Sequence, residues 1–243
     1  MSIADAAAAT RIDEIADGIY RISTSIPPSA MPGGFSLNQY LLLDDEPLLF
    51  HTGPRGTFDR VRGAIETVMP IESLRWIAFS HVESDECGAL NRLLAAAPTA
   101  LPVCGQVAAM VSMEDLADRA PRALGHGETL VTGRRTLEWI DAPHLPHGWE
   151  CGYLMERTSG TLLCGDLFTQ PGHETPPLTT ADILEPSEAS RREMDYYAHA
   201  RDTAAIFDRL IAHRPRTLAC MHGSAWQGDG AALLAALRDR LAA

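Results

Sequence analysis

The chain has 243 residues, of which 46% are hydrophobic and 21% are charged, so it is long enough to bury a substantial core. Its formal net charge of −12 argues against nucleic acid or an anionic membrane as a partner, because both require a basic surface. The five cysteines lack the paired spacing of a disulfide framework, and the Ala-rich start lacks the basic segment of a signal peptide. No apolar run is long enough to span a membrane, so a cytoplasmic protein is expected.

Strand and helix patterns alternate along the whole chain. The predicted strands cover 19–26, 37–44, 47–53, 75–81, 101–105, 128–133, 135–142, 152–157, 161–166 and 216–222. The predicted helices cover 56–69, 87–98, 105–118, 189–213 and 230–243. The Pro- and Thr-rich stretch 170–187 is expected to be a flexible insertion or lid. No composition break marks a linker, so we predict a single α+β domain over residues 1–243, with two mixed sheets packed face to face and helices outside.

Ligand-type side chains follow four of the predicted strands. They are His81, Glu83, Asp85 and Glu86 after the fourth strand, His144 and His147 after TLEWIDAP, Asp166 after TLLCG, and His222 after RTLACM. Each has an ordinary explanation when taken singly, because a lone histidine is usually a surface or core residue and acidic residues are common at helix N-termini. A buried strand that ends in a carboxylate or imidazole requires a partner, so the four groups together predict a metal site.

The order of these residues resembles the metallo-β-lactamase superfamily. The resemblance rests on His81-x-Glu83-x-Asp85 followed by His147, Asp166 and His222, and on the start ADGIYRIST and the close CMHGS. Most hydrolases of that superfamily have a second histidine where this chain has Glu83. A glutamate there is similar to the flavodiiron proteins and their stand-alone relatives, the oxygen-binding diiron proteins. The 19-residue interval from His147 to Asp166 fits the same subgroup.

The resemblance implies a four-layer αββα sandwich with two metal ions at one edge. His81, Glu83 and His147 would hold one iron, Asp85 and His222 the other, and Asp166 would bridge them. Glu86 stands where these families commonly have a histidine ligand, so it is either a carboxylate ligand or leaves a coordination position open.

The types of ligand favour iron over zinc. Zinc sites prefer His and Cys, whereas carboxylates combined with imidazole suit iron or manganese. Three histidines and three carboxylates, or four with Glu86, make up this set, and four ionised carboxylates would neutralise two divalent ions. We therefore expect two iron ions, with two zinc or manganese ions as the alternative.

Candidate residues around the metals are less clearly defined. His51 lies where the superfamily often has Asp, and with His173 and Tyr197 it is predicted to contact the ligands or line the pocket. His144 is a rival for His147 at a less suitable spacing. Trp149 and Trp226 lie near the expected entrance, and Cys87 is expected to be a small buried hydrophobe rather than a ligand.

Three functions are compatible with these residues. The first is a non-haem diiron protein that binds O2, peroxide or NO, and reduces it when a separate partner supplies electrons, or acts as an oxygen or redox sensor. The chain ends shortly after His222, so no flavin is expected to bind to it, and the resemblance suggests a homodimer. The second is a dinuclear zinc hydrolase acting on an ester, thioester or lactam. The third is a purely structural or ligand-sensing metal site.

Overall fold

A computed structural model describes residues 9–242, so most of the Ala-rich start lies outside the described residues. Within that range the strands form two mixed sheets of seven strands each. The strands of sheet A, in their spatial order, are β1 (Thr10–Ala16), β2 (Ile19–Ile26), β3 (Phe35–Leu42), β4 (Leu48–Phe50), β5 (Trp76–Ala78), β6 (Leu101–Gly105) and β7 (Arg122–Leu124). Strands β1 to β4 are antiparallel, and β4 to β7 are parallel.

Sheet B is built from the second half of the chain. Its strands are β8 (Thr129–Val131), β9 (Thr136–Asp141), β10 (Gly152–Glu156), β11 (Thr161–Leu163), β12 (Leu178–Thr179), β13 (Thr217–Ala219) and β14 (Ala225–Gln227). Their spatial order is β12-β14-β13-β11-β10-β9-β8, with parallel pairing of β11 with β13 and of β12 with β14. Strands β10 and β11 pair antiparallel across a turn at 158–160.

The helices cover the outer faces of both sheets. They are α1 (Phe58–Glu66), α2 (Ser84–Cys87), α3 (Leu90–Ala96), α4 (the consecutive segments Gln106–Ala108, Ala109–Met113 and Glu114–Leu116, of which the middle one is π-helical), α5 (Leu184–Met194), α6 (Thr203–Ala212) and α7 (Gly230–Leu241). None of the helices in the described part of the chain combines the length and hydrophobicity of a membrane span.

Three layers of buried side chains hold the sandwich together. Sheet A packs on α1, α3 and α4 through a cluster that includes Val61, Ile65 and Leu93, and sheet B packs on α5, α6 and α7 through a cluster that includes Phe207. Between the sheets lies a third cluster with the fully buried Trp139. Burial of these apolar surfaces is the main source of stability. The predicted αββα sandwich is therefore confirmed.

Two predictions about the second half are wrong. The long helix predicted over 189–213 is two helices, α5 and α6, because Asp195 ends α5 in a left-handed conformation with φ of +48°. The stretch 170–187 is not an insertion outside the sheets: it contributes β12, which pairs with β14, and Thr175 accepts hydrogen bonds from Arg11 and Arg21. Strands β1, β7, β12 and β14 were not predicted, and most of them are short.

Candidate metal centre

Strand ends from both sheets bring the predicted ligands to one edge of the sandwich. His81, Asp166 and His222 each lie three residues beyond the last residue of a strand, β5, β11 and β13 respectively. His147 lies in the loop between β9 and β10. Because parallel strands end at the same edge of a sheet, side chains just beyond their carboxyl ends meet in space.

Asp166 lies at the centre of the cluster and points its two oxygens at different histidines. Its Oδ2 is 3.6 Å from His81 Nε2 and 3.4 Å from His147 Nε2. Its Oδ1 is 3.4 Å from His222 Nε2. A carboxylate in this position has one oxygen available to each of two cations.

Two sets of ligand-type atoms lie on either side of Asp166. On one side, Glu83 Oε1 is 3.2 Å from His147 Nε2, and Glu83 Oε2 is 3.9 Å from His81 Nε2. On the other side, Asp85 Oδ2 is 3.6 Å from His222 Nε2. Within each of three groups, one ligand atom from every residue lies within 4.8 Å of the others; the groups are His81–His147–Asp166, His81–Glu83–Glu86 and Asp85–Glu86–His222.

Glu86 belongs to two of these groups and is completely buried. Its Oε2 is 4.0 Å from His81 Nε2, and neither of its oxygens has a hydrogen-bond partner among residues 9–242. Burial, together with the charges of Asp166 and Asp85, raises the pKa of Glu86 well above its ordinary value. An ionised carboxylate in this place requires a cation.

His147 and His222 direct their Nε2 atoms toward the cluster. His147 Nδ1 is 3.0 Å from the main-chain oxygen of Tyr196, and His222 Nδ1 is 2.7 Å from that of Ser36. A carbonyl oxygen only accepts, so each Nδ1 carries a hydrogen, and in a neutral imidazole Nε2 then has a lone pair. The Nε2 atoms of His81 and His147 are 3.0 Å apart, a separation at which two lone pairs repel unless a cation or a proton lies between them.

The pKa values of the other groups also depend on the charges of their neighbours in the cluster. Hydrogen bonds from His147 and His81 lower the pKa of Glu83 to about 2. Burial opposes ionisation of Asp166, but His222 and the other two histidines outweigh it and hold its pKa well below the ordinary value. Burial also lowers the pKa values of His147 and His222, yet their carboxylate neighbours raise both overall. Positive charge thus stabilises this cluster, whether it comes from protons or from metal ions.

These residues fit a pair of metal ions. Three imidazole nitrogens and four carboxylates converge, the histidines are oriented through their outer nitrogens, and the oxygens of Glu86 lack other partners within the described chain. Outer hydrogen bonds of this kind are usual for histidines that bind metals. A set so rich in carboxylates suits iron or manganese better than zinc.

The remaining predicted residues lie at different distances from the cluster. His51 is fully buried and reaches His81 through Ser80, and burial lowers its pKa to about 3. Tyr197 lies in the core outside sheet B, behind Tyr196. His173 lines a separate cleft with Arg11, Ser23, Ser25 and Glu174.

Several other predicted residues stand outside the ligand groups. His144 lines a cleft with His199 and Arg201. Trp149 is 55% exposed, and the indole of Trp226 donates to the main-chain oxygen of Ala181. Cys87 donates its thiol to the main-chain oxygen of Glu83, and burial raises its pKa to about 12, which agrees with a structural role.

Tyr196 is the neighbour that the sequence pattern did not identify. Its main-chain oxygen accepts from His147, its ring contacts the His147 ring edge-on at 6.0 Å, and its hydroxyl donates to the main-chain oxygen of Asp166. The first of these contacts uses the main-chain oxygen of Tyr196, which any residue type provides, so composition contains no signal for it.

The cluster is open to solvent on the side of Glu83. The Glu83 side chain is 51% exposed, whereas those of His81 and Glu86 are at most 1% exposed. Glu83 lines a cleft of about 640 Å³ together with Arg55, Val82, Cys87, Asn91 and Arg92. Of the seven candidate ligands, Glu83 is the one that lines this cleft.

Comparison with known proteins agrees with this arrangement. Among curated proteins, the chain is 24% identical over 208 residues to the rubredoxin-oxygen oxidoreductase of Megalodesulfovibrio gigas. The match covers 81% of this chain and 50% of that protein, so the chain spans half the length of the curated relative.

Solved structures share the fold. The rubredoxin oxygen:oxidoreductase from Desulfovibrio gigas superposes with a TM-score of 0.79 at 20% identity, over 94% of this chain and 60% of that one. The flavodiiron core of Flv1 from Synechocystis sp. PCC6803 gives a TM-score of 0.81 at 20% identity, over 97% and 61%. A fragment of a putative diflavin flavoprotein from Nostoc sp. PCC 7120 gives 0.80 at 15% identity and is covered to 96%, as is this chain.

A family model completes the comparison. The model for the ODP family beta lactamase matches residues 35–223, a range that contains every candidate ligand from His81 to His222. The chain therefore belongs to the ODP family of beta lactamases, and its domain shares the fold of the flavodiiron core.

Proposed function

We propose that this chain is a non-haem diiron protein that binds a small oxidant such as O2, peroxide or NO. It would reduce that oxidant when electrons reach the metals from a separate donor, or sense it without turnover. The observation that carries the proposal is the donor set: Glu83 and Glu86 increase the number of carboxylates to four beside three imidazoles. Such a set favours iron or manganese over zinc.

The ligand assignment follows the two sides of Asp166. His81, Glu83 and His147 would hold one iron, and Asp85 and His222 the other. Asp166 would bridge them through its two oxygens, and buried Glu86 would complete the second set as a carboxylate. Bound iron would supply electrons and open coordination positions for the oxidant.

The protein itself has three tasks in this proposal. The main-chain oxygens of Tyr196 and Ser36 fix the orientation of His147 and His222. Burial of His81, Glu86 and Asp166 keeps bulk water away from most of the cluster. The exposed side at Glu83 leaves an entrance for a small molecule.

The source of electrons is a separate proposal. The curated relative is named for rubredoxin and oxygen, and this chain matches half of that protein. We infer that an external redox protein, rather than a flavin bound to residues 9–242, reduces the metals.

We also infer that the chain functions as a homodimer in the cytoplasm. Light scattering coupled to size-exclusion chromatography measures the oligomeric state.

Anaerobic purification tests the proposed function. We expect about two iron ions per chain by metal analysis, the number of metals that the donor set can hold. We also expect changes in near-ultraviolet and visible absorption on titration with O2, peroxide or NO. Two zinc ions per chain, with turnover of a chromogenic ester or lactam, would instead establish the hydrolase alternative.

A single substitution tests the role of Glu83 in metal selection. Glu83→His replaces an anionic oxygen ligand with an imidazole, so the metal content is expected to shift from iron toward zinc. Glu114→His, on the exposed surface of α4, is the matched control and should leave the metal content unchanged. An unchanged iron-to-zinc ratio in Glu83→His would contradict the ligand argument.

A further inference from the structure

His51 is held in an uncommon position beside the candidate metal centre. It directly follows β4, is fully buried, and has a φ of +67°, in the left-handed region that non-glycine residues rarely adopt. Its ring stacks on that of Phe50 with a centroid distance of 4.2 Å, and its main-chain N–H donates to Ala78. Backbone strain of this kind persists where the surroundings fix the side chain, and it is frequent at functional sites.

The two ring nitrogens of His51 have different partners. Nε2 lies 3.0 Å from the hydroxyl oxygen of Ser80 and 3.4 Å from the main-chain nitrogen of Ser80. Nδ1 lies 2.9 Å from the sulfur of Met221. A main-chain N–H can only donate, so Nε2 of His51 is an acceptor. A neutral ring then carries its hydrogen on Nδ1 and directs it at the Met221 sulfur, which is a weak acceptor.

Ser80 connects this histidine to a candidate ligand. Its hydroxyl oxygen is 2.9 Å from Nδ1 of His81 and has one hydrogen to donate. When that hydrogen goes to Nε2 of His51, the same oxygen accepts the Nδ1 hydrogen of His81. Every hydrogen bond from His81 through Ser80 and His51 to Met221 then has one donor and one acceptor.

We propose that His51 and Ser80 are positioning residues that hold His81 in the Nδ1–H tautomer, so that its Nε2 lone pair faces the metal. This proposal rests on the proposed metal centre in one respect, which is that His81 is a metal ligand. The hydrogen bonds among His81, Ser80, His51 and Met221 are formed by the protein alone. The neutral imidazole of His51 accepts from Ser80 without adding another negative charge beside four carboxylates. Because Met221 directly precedes His222, the same hydrogen bonds tie the ends of β4, β5 and β13 together.

Nitrogen-15 NMR of the histidine rings tests the tautomer directly. Spectra of the full chain are recorded without metal and with Zn²⁺, a diamagnetic probe. We expect His51 to carry its hydrogen on Nδ1 in both samples, and His81 to carry it on Nδ1 in the zinc-bound protein. A hydrogen on Nε2 of His51 in either sample would overturn the proposal. This result does not depend on iron, so it stays valid if the natural metal is zinc.

Substitution of Ser80 tests the consequence for metal binding. Ser80→Ala removes the acceptor for His81, and loss of such an outer partner typically weakens metal binding by about 10–100-fold. Zn²⁺ and Mn²⁺ affinities are measured by competition with a chelator. Ser84→Ala, an exposed serine of the same segment, is the matched control and should bind like the wild type. Ser80→Thr restores the hydroxyl and should recover most of the affinity.

A second variant covers the case in which Ser80→Ala fails to fold. His51→Asn retains a residue type that tolerates positive φ but cannot reach both Ser80 and Met221. It should shift His81 toward a mixture of tautomers and weaken Zn²⁺ binding. Wild-type affinity in Ser80→Ala or in His51→Asn, or an equal loss in Ser84→Ala, would overturn the proposal.

Discussion

Replacement of Glu86 by methionine is expected to stabilise the metal-free protein and to weaken its response to metal. Glu86 is fully buried, and neither of its carboxylate oxygens has a hydrogen-bond partner within the described range. A buried polar atom without a partner costs about 1–3 kcal/mol, so the two oxygens together cost about 2–6 kcal/mol. Methionine has a similar length and requires no hydrogen bond, so most of this cost should be removed.

The pH dependence gives the same prediction a second test. Burial, with Asp166 and Asp85, raises the pKa of Glu86, so above pH 4.5 the unfolded state releases a proton that the folded state retains. Stability of the metal-free wild type then falls by up to about 1.4 kcal/mol per pH unit until the folded-state pKa is reached. The advantage of Glu86→Met over the wild type should therefore grow between pH 4.5 and 7.

Urea unfolding, followed by tryptophan fluorescence, measures both effects. Each protein is unfolded in EDTA and in Mn²⁺ under anaerobic conditions. At a metal concentration 100 times the dissociation constant, the wild type should gain about 2.7 kcal/mol, and Glu86→Met should gain less because a ligand is missing.

Glu188→Met is the matched control. Glu188 is also buried, but Arg191 donates two hydrogen bonds to its carboxylate at 2.8 and 2.9 Å. Its removal should destabilise the protein by about 1.5–3 kcal/mol in either buffer. If Glu86→Met is also less stable than the wild type in EDTA, then Glu86 has a partner other than a cation, and the reasoning is refuted.

Two further predictions concern pH and packing. Burial lowers the pKa values of His147 and His222, but their carboxylate neighbours raise both overall. The stability that these raised pKa values provide is complete below pH 6.5 and is lost as the pH rises through the folded-state pKa values. Urea midpoints measured in EDTA should therefore fall between pH 6 and 9, and a flat profile would contradict this. In the core, a Cβ at Gly152 would lie 2.2 Å from the Trp139 ring, so Gly152→Ala should cost about 1–3 kcal/mol in urea unfolding. Gly63→Ala, within α1 and with no described heavy atom within 4 Å of the new Cβ, should instead stabilise the protein by about 0.5–1 kcal/mol. A higher free energy of unfolding for Gly152→Ala than for Gly63→Ala would contradict the close packing of Gly152 against Trp139.

The convergence of the candidate ligands could be predicted because it depends on strand direction. His81, Asp166 and His222 each follow a short buried strand, and such strands are visible as apolar runs bounded by polar residues. Once the strands lie in two packed sheets with parallel neighbours, the side chains just beyond their carboxyl ends converge at one edge of the sandwich. The two-layer order of the sheets was predictable for the same reason.

The break between α5 and α6 could not be predicted from local signals. No glycine or proline interrupts the chain between Pro186 and Pro215, so the pattern predicts one continuous helix. In the structure the main-chain oxygen of Tyr196 accepts from His147, and the main-chain nitrogen of Ala198 donates to Pro146. A continuous helix would use both groups internally. Contacts with a loop far away in sequence therefore override the local preference.

The hydrogen bonds around His51 were also outside the reach of a sequence pattern. His51 could be named as a pocket residue from its position after β4, but its partners Ser80 and Met221 are ordinary residue types that lie 29 and 170 positions away. Their roles follow from the directions of individual donors and acceptors. Those directions exist only after the two sheets have packed.

Acidic residues of the short stretch from 83 to 86 lie in different electrostatic environments. Glu83 is half exposed and its pKa is lowered to about 2 by His147 and His81, so it ionises without a metal. Glu86, three residues later, is fully buried beside Asp166 and its pKa is raised. The two glutamates are equivalent in composition but opposite in electrostatic environment. It follows that Glu86, and not Glu83, is the carboxylate whose ionisation requires a cation, so the metal-dependent part of the stability should be concentrated at Glu86.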